Sequence, residues 1–186
     1  MRFLIITLGL FLLCAAAVAQ KKSDRKYEYG TLSGTATFTG YFWFDNNLTQ
    51  MGQRILFKKT LDEKKTKTLY ATTFTTFKSD SVFRRTFETI PYGFGRLAAM
   101  LPRIVAGPIE LYDAIYAGTY EFETSDHFYL YVGREHIRLV RRKFKTQVTE
   151  LIRDDADIVQ RIERGELTYD DMPSIIHNYN MRKEKH

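Results

Sequence analysis

The sequence predicts an α+β fold, in which an antiparallel β-sheet or sandwich is followed by a compact C-terminal helical region. Three observations carry this. Between residues 32 and 140, runs rich in Thr and aromatics alternate in polarity and are broken by Gly, Asn and Asp, the pattern of strands joined by tight turns. Near residue 143 the apolar spacing changes from period two to the helical period. An apolar start, uncharged from Phe3 to Gln20, stands apart from both. The organisation read from these is a leader over residues 1–19, an antiparallel β region over 20–142 and helices packed on it over 143–186.

The leader comes first. Arg2 is the only charge before Lys21, a greasy core runs from Phe3 to Leu13, and small residues follow. Ala17-Val18-Ala19 fits the small-x-small pattern that signal peptidase accepts, so cleavage is expected between Ala19 and Gln20. Lipid attachment at Cys14 needs a small residue before it, and Leu13 is there instead. Removing 19 of 186 residues leaves 167 with no cysteine, enough for one domain resting on its core alone. Exported chains without disulfides point toward a bacterial envelope. The expected location is periplasmic, outer-membrane-associated or extracellular, with no transmembrane segment after cleavage. Asn47-Leu48-Thr49 is formally a glycosylation sequon, with no meaning in a bacterium.

The strands follow in order. Residues 20–28 are a polar lead-in. Leu32–Asp45 reads as one strand, with Leu32, Ala36, Phe38, Phe42 and Phe44 on one face and Tyr41 and Trp43 on the other; Gly34 and Gly40 mark a bulge or bend in it. Gln53–Thr60, Thr68–Lys78 and Ser81–Thr89 read as three further strands. Pro91–Gly95 interrupts, and the apolar stretch Arg96–Val105 reads as a short helix. Ile109–Tyr116, Thr119–Thr124, His127–Val132 and Glu135–Val140 complete seven or eight strands, with turns at Gly118, Ser125-Asp126 and Gly133.

Three short helices close the chain. Phe144, Val148, Leu151 and Ile152 share one face of the first. Asp154 or Asp155 caps the second, whose Ile158, Val159 and Ile162 line up before Gly165. Asp170 or Asp171 caps the third, with Pro173 in its first turn and Met172, Ile175, Ile176 and Tyr179 inward. None is long enough to stand alone, so they must pack on the sheet or on one another. An outer-membrane barrel fits this charged, helical end poorly.

The chemistry-bearing patterns are sparse. There is no phosphate loop, nucleophile elbow or zinc-protease motif, and His127, His136, His177 and His186 lack metal-ligand spacing. Asp154–Asp157 lacks the glycine and distant glutamate of a calcium loop, and helix capping explains it. No metal and no cofactor are expected. Net charge is +6, or +5 without Arg2. Six basic residues lie between Arg134 and Lys145 against Glu135 alone, and six between Arg54 and Lys67 against Asp62 and Glu63. Such stretches attract anionic surfaces or simply solvate strand edges; nucleic acid is not an expected partner of an exported chain.

The candidate ligand-binding residues are therefore Tyr41 and Trp43, as an aromatic platform, and Arg138, Arg141 and Arg142, as a basic one. They suit a non-catalytic binding or structural module whose partner is an envelope protein or a glycan. The alternative is a small hydrolase with a site assembled from distant residues, His127 or His136 beside Asp113 or Asp126. A third reading is membrane association through the basic stretch.

Gly107-Pro-Ile-Glu-Leu-Tyr112, the helix opening FKTQVTELIRD and the closing Ile175-Ile-His-Asn-Tyr-Asn180 together resemble small exported proteins of unknown function from Bacteroidota. The resemblance implies a location and an architecture, and no catalytic residue.

Overall fold

The structure, a computed structural model, describes residues 25–49, 51–89, 97–114 and 126–184. The expected leader with its expected Ala19–Gln20 junction, Cys14, the Asn47 side chain, Pro91–Gly95, the strand expected at Thr119–Thr124 with its flanking Gly118 and Ser125, and His186 lie outside the described residues. The fold is α+β, a large antiparallel sheet followed by helices.

Ten strands are described: β1 (Glu28–Gly34), β2 (Thr37–Thr49), β3 (Gly52–Lys58), β4 (Lys67–Tyr70), β5 (Phe74–Lys78), β6 (Phe83–Thr89), β7 (Leu97–Val105), β8 (Ile109–Asp113), β9 (Phe128–Val132) and β10 (Glu135–Arg138). They form one sheet in the order β10-β9-β8-β7-β6-β5-β1-β2-β3-β4. Three helices follow: α1 (Phe144–Leu151), α2 (Ala156–Glu163) and α3 (Met172–Lys183).

The run expected to be one strand from Leu32 to Asp45 is a hairpin of β1 and β2 turning at Thr35-Ala36. Register pairs Leu32 with Phe38 and Glu28 with Phe42, so partner numbers always sum to 70. Paired residues therefore share parity, and alternation passes through the turn without a break. Thr68–Lys78, also expected to be one strand, is β4 and β5 separated by a 3₁₀ turn at Ala71–Thr73. Arg96–Val105, expected to be helical, contains β7, paired with β6 and β8. Its unbroken apolar run arises because both faces are covered: Ala98 and Met100 enter one core cluster, Ala99 and Leu101 another.

The sheet cannot be flat. β4 and β5 lie four strand positions apart, about 19 Å in a flat sheet. The chain from Tyr70 to Phe74 reaches at most about 14 Å. The first strands must therefore roll over until the edge near β4 meets β5. The rolled inner face holds Leu32, Phe42, Phe44, Ile55, Leu69, Ala71, Phe74, Phe77, Ala98 and Met100. Gln53, wholly buried, pins the closure: its Nε2 donates to Asp45 O at 3.0 Å and its Oε1 accepts from Met100 N at 2.8 Å, tying β3 to β7.

Beyond β7 the same sheet is covered by the helices. Val105, Ile109, Leu111, Phe128 and Leu130 pack against Phe144, Val148, Ile152, Ile158, Ile162, Met172, Ile175, Ile176 and Tyr179. The expected inward faces of all three helices lie in this cluster, with Leu151 and Val159 at its margin. Asp155 caps α2 by accepting from Ile158 N at 3.1 Å. Thr168 and Asp171 close a capping box on the 3₁₀ turn that leads into α3. The β9–β10 turn places Gly133 and Arg134 at φ +55° and +81°, the two-residue form whose twist matches its strands.

The segments Gly107–Tyr112 and Ile175–Asn180 meet here. Asn180 of α3 donates through Nδ2 to Ala106 O (3.0 Å) and Ile109 O (2.7 Å), and its Oδ1 accepts from Ile109 N (3.2 Å). Gly107 sits at φ +138°, where an added Cβ would collide with the Asn180 amide. Those short motifs are therefore the lock between the last helix and β8.

Candidate functional site

The aromatic residues singled out in β2 stand where alternation puts them. Phe42 and Phe44 are buried in the rolled core, and Tyr41 and Trp43 lie half-buried on the outer face. Register brings Tyr29 of β1 opposite Tyr41, with ring centroids 5.1 Å apart and edge to face. Tyr29 is 57% exposed. The Arg25 guanidinium lies 4.6 Å over the Trp43 ring, and Lys58, opposite Tyr41 on β3, reaches to 5.5 Å over Tyr27. The helices' core cluster holds no residue of β1–β6, so among the described residues no helix covers this face. A row of flat rings flanked by two cations results. Reading Leu32–Asp45 as one strand hides Tyr29; a fold-back at residue 35 is the signal that places it beside Tyr41.

The three arginines do not form one surface. Arg138 is paired with Tyr129 on the sheet face opposite the helices, and its Nε is buried with no hydrogen-bond partner. Arg141 lies on the helical side, 4.4 Å over the Tyr169 ring and forked onto Asp170 at 2.8 and 2.5 Å. Arg142 is exposed and, with Arg141, Lys145 and Tyr169, lines a shallow depression of about 320 Å³. The alternation of β10 explains the split: Ile137 turns toward the helices, so His136 and Arg138 turn away.

His127, just before β9, and Asp113, at the end of β8, are brought together, with Nδ1 3.0 Å from Oδ1. The imidazole lies 4.0 Å from the Phe128 ring and 5.7 Å from that of Tyr169. Tyr169 OH accepts from Phe128 N at 2.9 Å, and burial pushes its pKa up to about 12, so it is no ready nucleophile. His136 is elsewhere, 4.5 Å from the Phe87 ring, with its pKa lowered by burial and by the charge of Arg85.

One polar cluster has no signal in the sequence. Glu110, Tyr112, Arg85 and Arg103 come from three strands onto the face opposite the helices. Arg103 Nη1 donates to Glu110 Oε1 at 2.5 Å, Tyr112 OH to Oε2 at 2.5 Å, and Arg85 Nη2 to Oε2 at 3.3 Å. Arg85 also stacks 3.7 Å over Tyr131. Burial and the Glu110 contact raise the Tyr112 pKa, keeping the phenol protonated. A carboxylate so fully engaged is held as a structural clasp, with little capacity left for a ligand.

Among the described residues, no group of three or more His, Cys, Asp or Glu is placed to share a metal ion. No helix there is long and apolar enough to cross a membrane. No family model, no curated protein and no solved structure matches the chain.

Proposed function

We propose that the protein is an exported, non-catalytic binding module of the cell envelope, and that it holds a glycan on the outer face of β1–β3. The observation that carries this is the row of Tyr29, Tyr41 and Trp43 on a sheet face with no helix over it among the described residues, edged by Arg25 on Trp43. Sugar rings present C–H faces that stack on aromatic planes, and their hydroxyls accept from donors such as Arg25 and Lys58 at the row's edge. Strands hold such rings in place better than loops do, so little order is lost on binding. The leader-like residues 1–19 support action outside the cytoplasm.

Trp43 is the chain's single tryptophan, so its fluorescence reports directly on the row. Titration with a panel of neutral and charged oligosaccharides should shift or quench it. Tyr41→Ala should abolish the response while leaving the fold intact, because Tyr41 is outside the cores. A flat signal across the panel, or binding indifferent to Tyr41→Ala and Trp43→Ala, would rule the reading out. N-terminal sequencing of protein from fractionated cells tests export: a mature start at Gln20 is expected, and retained Met1 in the membrane fraction contradicts it.

A second reading rests on the His127–Asp113 pair. A carboxylate that orients an imidazole is the support a general base needs. It makes the protein a small hydrolase. Turnover of chromogenic esters or glycosides that disappears in both His127→Gln and Asp113→Asn would favour it over the binding module.

A further inference from the structure

The rim of the rolled half, beside the aromatic row, is strongly cationic. The β3–β4 connection and the strand ends next to it enclose a cleft of about 500 Å³. Phe57, Lys59, Lys64, Lys65 and Lys67 are among the residues that line it. Among the described residues, Glu63 is the only carboxylate in the lining, and its Oε2 is taken by the Lys59 backbone N–H at 2.8 Å. Four lysines thus line the cleft with one carboxylate. Lys67 is held with Nζ 4.5 Å over the Phe38 ring, so at least one cation is positioned by the fold. Like charges gathered around one concavity repel each other, and an incoming anion relieves that repulsion.

The cleft opens at the end of the roll nearest the aromatic row, across the sheet edge from it. Tyr41 pairs with Lys58, the last residue of β3, and Lys59 follows it, a level about 10 Å along β2 from Trp43; Phe57 turns to the inner face and Tyr41 and Trp43 to the outer one. A chain of flat rings carrying acidic groups would stack on Trp43 and Tyr41 and then pass over the rim into the lysines. A membrane surface fits less well. Leu61 is the only apolar residue between Lys59 and Thr66, whereas interfacial anchoring uses clustered Trp, Phe and Leu.

We propose that the ligand is an acidic polysaccharide, and that Lys59, Lys64, Lys65 and Lys67 bind its sulfate, phosphate or carboxylate groups in the β3–β4 cleft. This rests on the glycan reading of the outer face, and it assigns a chemical class to that ligand.

The test uses dextran and dextran sulfate of matched length, with the full mature chain at low salt. The sulfated form should bind at least about tenfold more tightly, because several exposed ion pairs each contribute a small factor. The triple variant Lys64→Gln, Lys65→Gln, Lys67→Gln should lose about that factor, and added salt should erase the difference between variant and parent. A charge-matched control, Lys143→Gln, Arg153→Gln, Arg164→Gln, removes three exposed cations from the helical region and should change binding less than about twofold. Equal loss in the two triples would mean that overall charge attracts the polymer, which overturns the cleft. Equal binding of dextran and dextran sulfate overturns the acidic assignment and leaves the aromatic row standing. Dextran sulfate binding that needs the three lysines but ignores Tyr41→Ala and Trp43→Ala supports the cleft and removes the row. Tighter binding to phosphatidylglycerol vesicles than to dextran sulfate, lost on Leu61→Ser, replaces the polysaccharide with a lipid surface.

Discussion

The sheet is one hydrogen-bonded structure, yet its two ends solve the same problem differently. Strands β1–β5 roll over and bury their inner face against themselves and against β7, with Phe42, Phe44, Phe74 and Phe77 filling the space. Strands β8–β10 stay open and borrow a cover from α1, α2 and α3. β7 belongs to both, giving Ala98 and Met100 to the roll and Val105 to the helix-covered core. Each solution is pinned by one buried amide, Gln53 in the roll and Asn180 under the last helix. The difference matters for function. Rolling leaves the outer face of β1–β3 free of helices among the described residues, which is the face on which the proposed glycan site rests. At the other end the helices cover one face, and the opposite face is stitched by the Glu110 clasp.

The largest expected effects are in the two cores. Phe77 is wholly buried and its ring meets those of Phe42 and Phe44 at 5.3 and 5.0 Å; Phe77→Ala should cost about 3–5 kcal/mol. Ile162→Ala, in the helix-covered core, should cost about 2–5 kcal/mol. Urea unfolding followed by helix circular dichroism and by Trp43 fluorescence reads the two ends separately. Because β7 is shared, both probes should move together in both variants. Two separated transitions would mean that the ends are independent units.

The amides come next. Asn180→Ala strands Ile109 N–H and two carbonyls, so a loss of about 2–4 kcal/mol is expected. Gln53→Ala strands one N–H and one carbonyl and should cost about 1–3 kcal/mol. Gly107→Ala should cost about 1–3 kcal/mol, since the left-handed backbone and the Asn180 amide both oppose a Cβ. If Gly107 acts through that amide, Gly107→Ala combined with Asn180→Ala should cost less than the two losses added. Strict additivity would show that the backbone conformation alone makes this position a glycine.

Much of this architecture is legible in the sequence. The helical end is legible almost to the residue, because Phe144, Val148, Ile158, Ile162, Ile175 and Tyr179 repeat with a period that nothing else produces. The strands are legible as runs, but their breaks are not. The even-numbered turn at Thr35-Ala36 preserves the alternation and hides itself. β7 mimics a helix because a strand buried on both faces has no alternation to show. For the site, the outward direction of Tyr41 and Trp43 follows from parity. The contiguity of Arg138 with Arg141 in the sequence misleads, since one turn of backbone after β10 sends them to opposite faces. The Glu110 clasp is invisible, because its residues come from three strands and only register brings them together.

The smallest expected effect separates the two ends by acid. Asp154, Asp157 and Asp170 all have pKa values below the ordinary 3.8, held down chiefly by hydrogen bonds from Lys183, Arg182 and Arg141 respectively. These pairs link the segments around α1 and α2 to α3 and to the turn before it. Asp62 in the rolled half is also held below 3.8, chiefly by a hydrogen bond from Thr60 within its own loop, so this contact joins no two strands. A carboxylate with a lowered folded pKa stabilises the fold fully above its unfolded value and loses that contribution as pH falls through the folded one. The helical end should therefore begin to loosen below about pH 3.8, before the rolled half does. All three carboxylates are well exposed, so the effect is modest and salt should weaken it. Hydrogen exchange at pH 5 and pH 3 would show protection falling first in α2 and α3 and persisting in β1, β2 and β5. Arg182→Gln, which removes the partner of Asp157, should reduce protection at pH 5 and narrow the difference between the two pH values. Earlier loss in β1 and β2 would place the weaker cover on the roll, the reverse of the order these ion pairs imply.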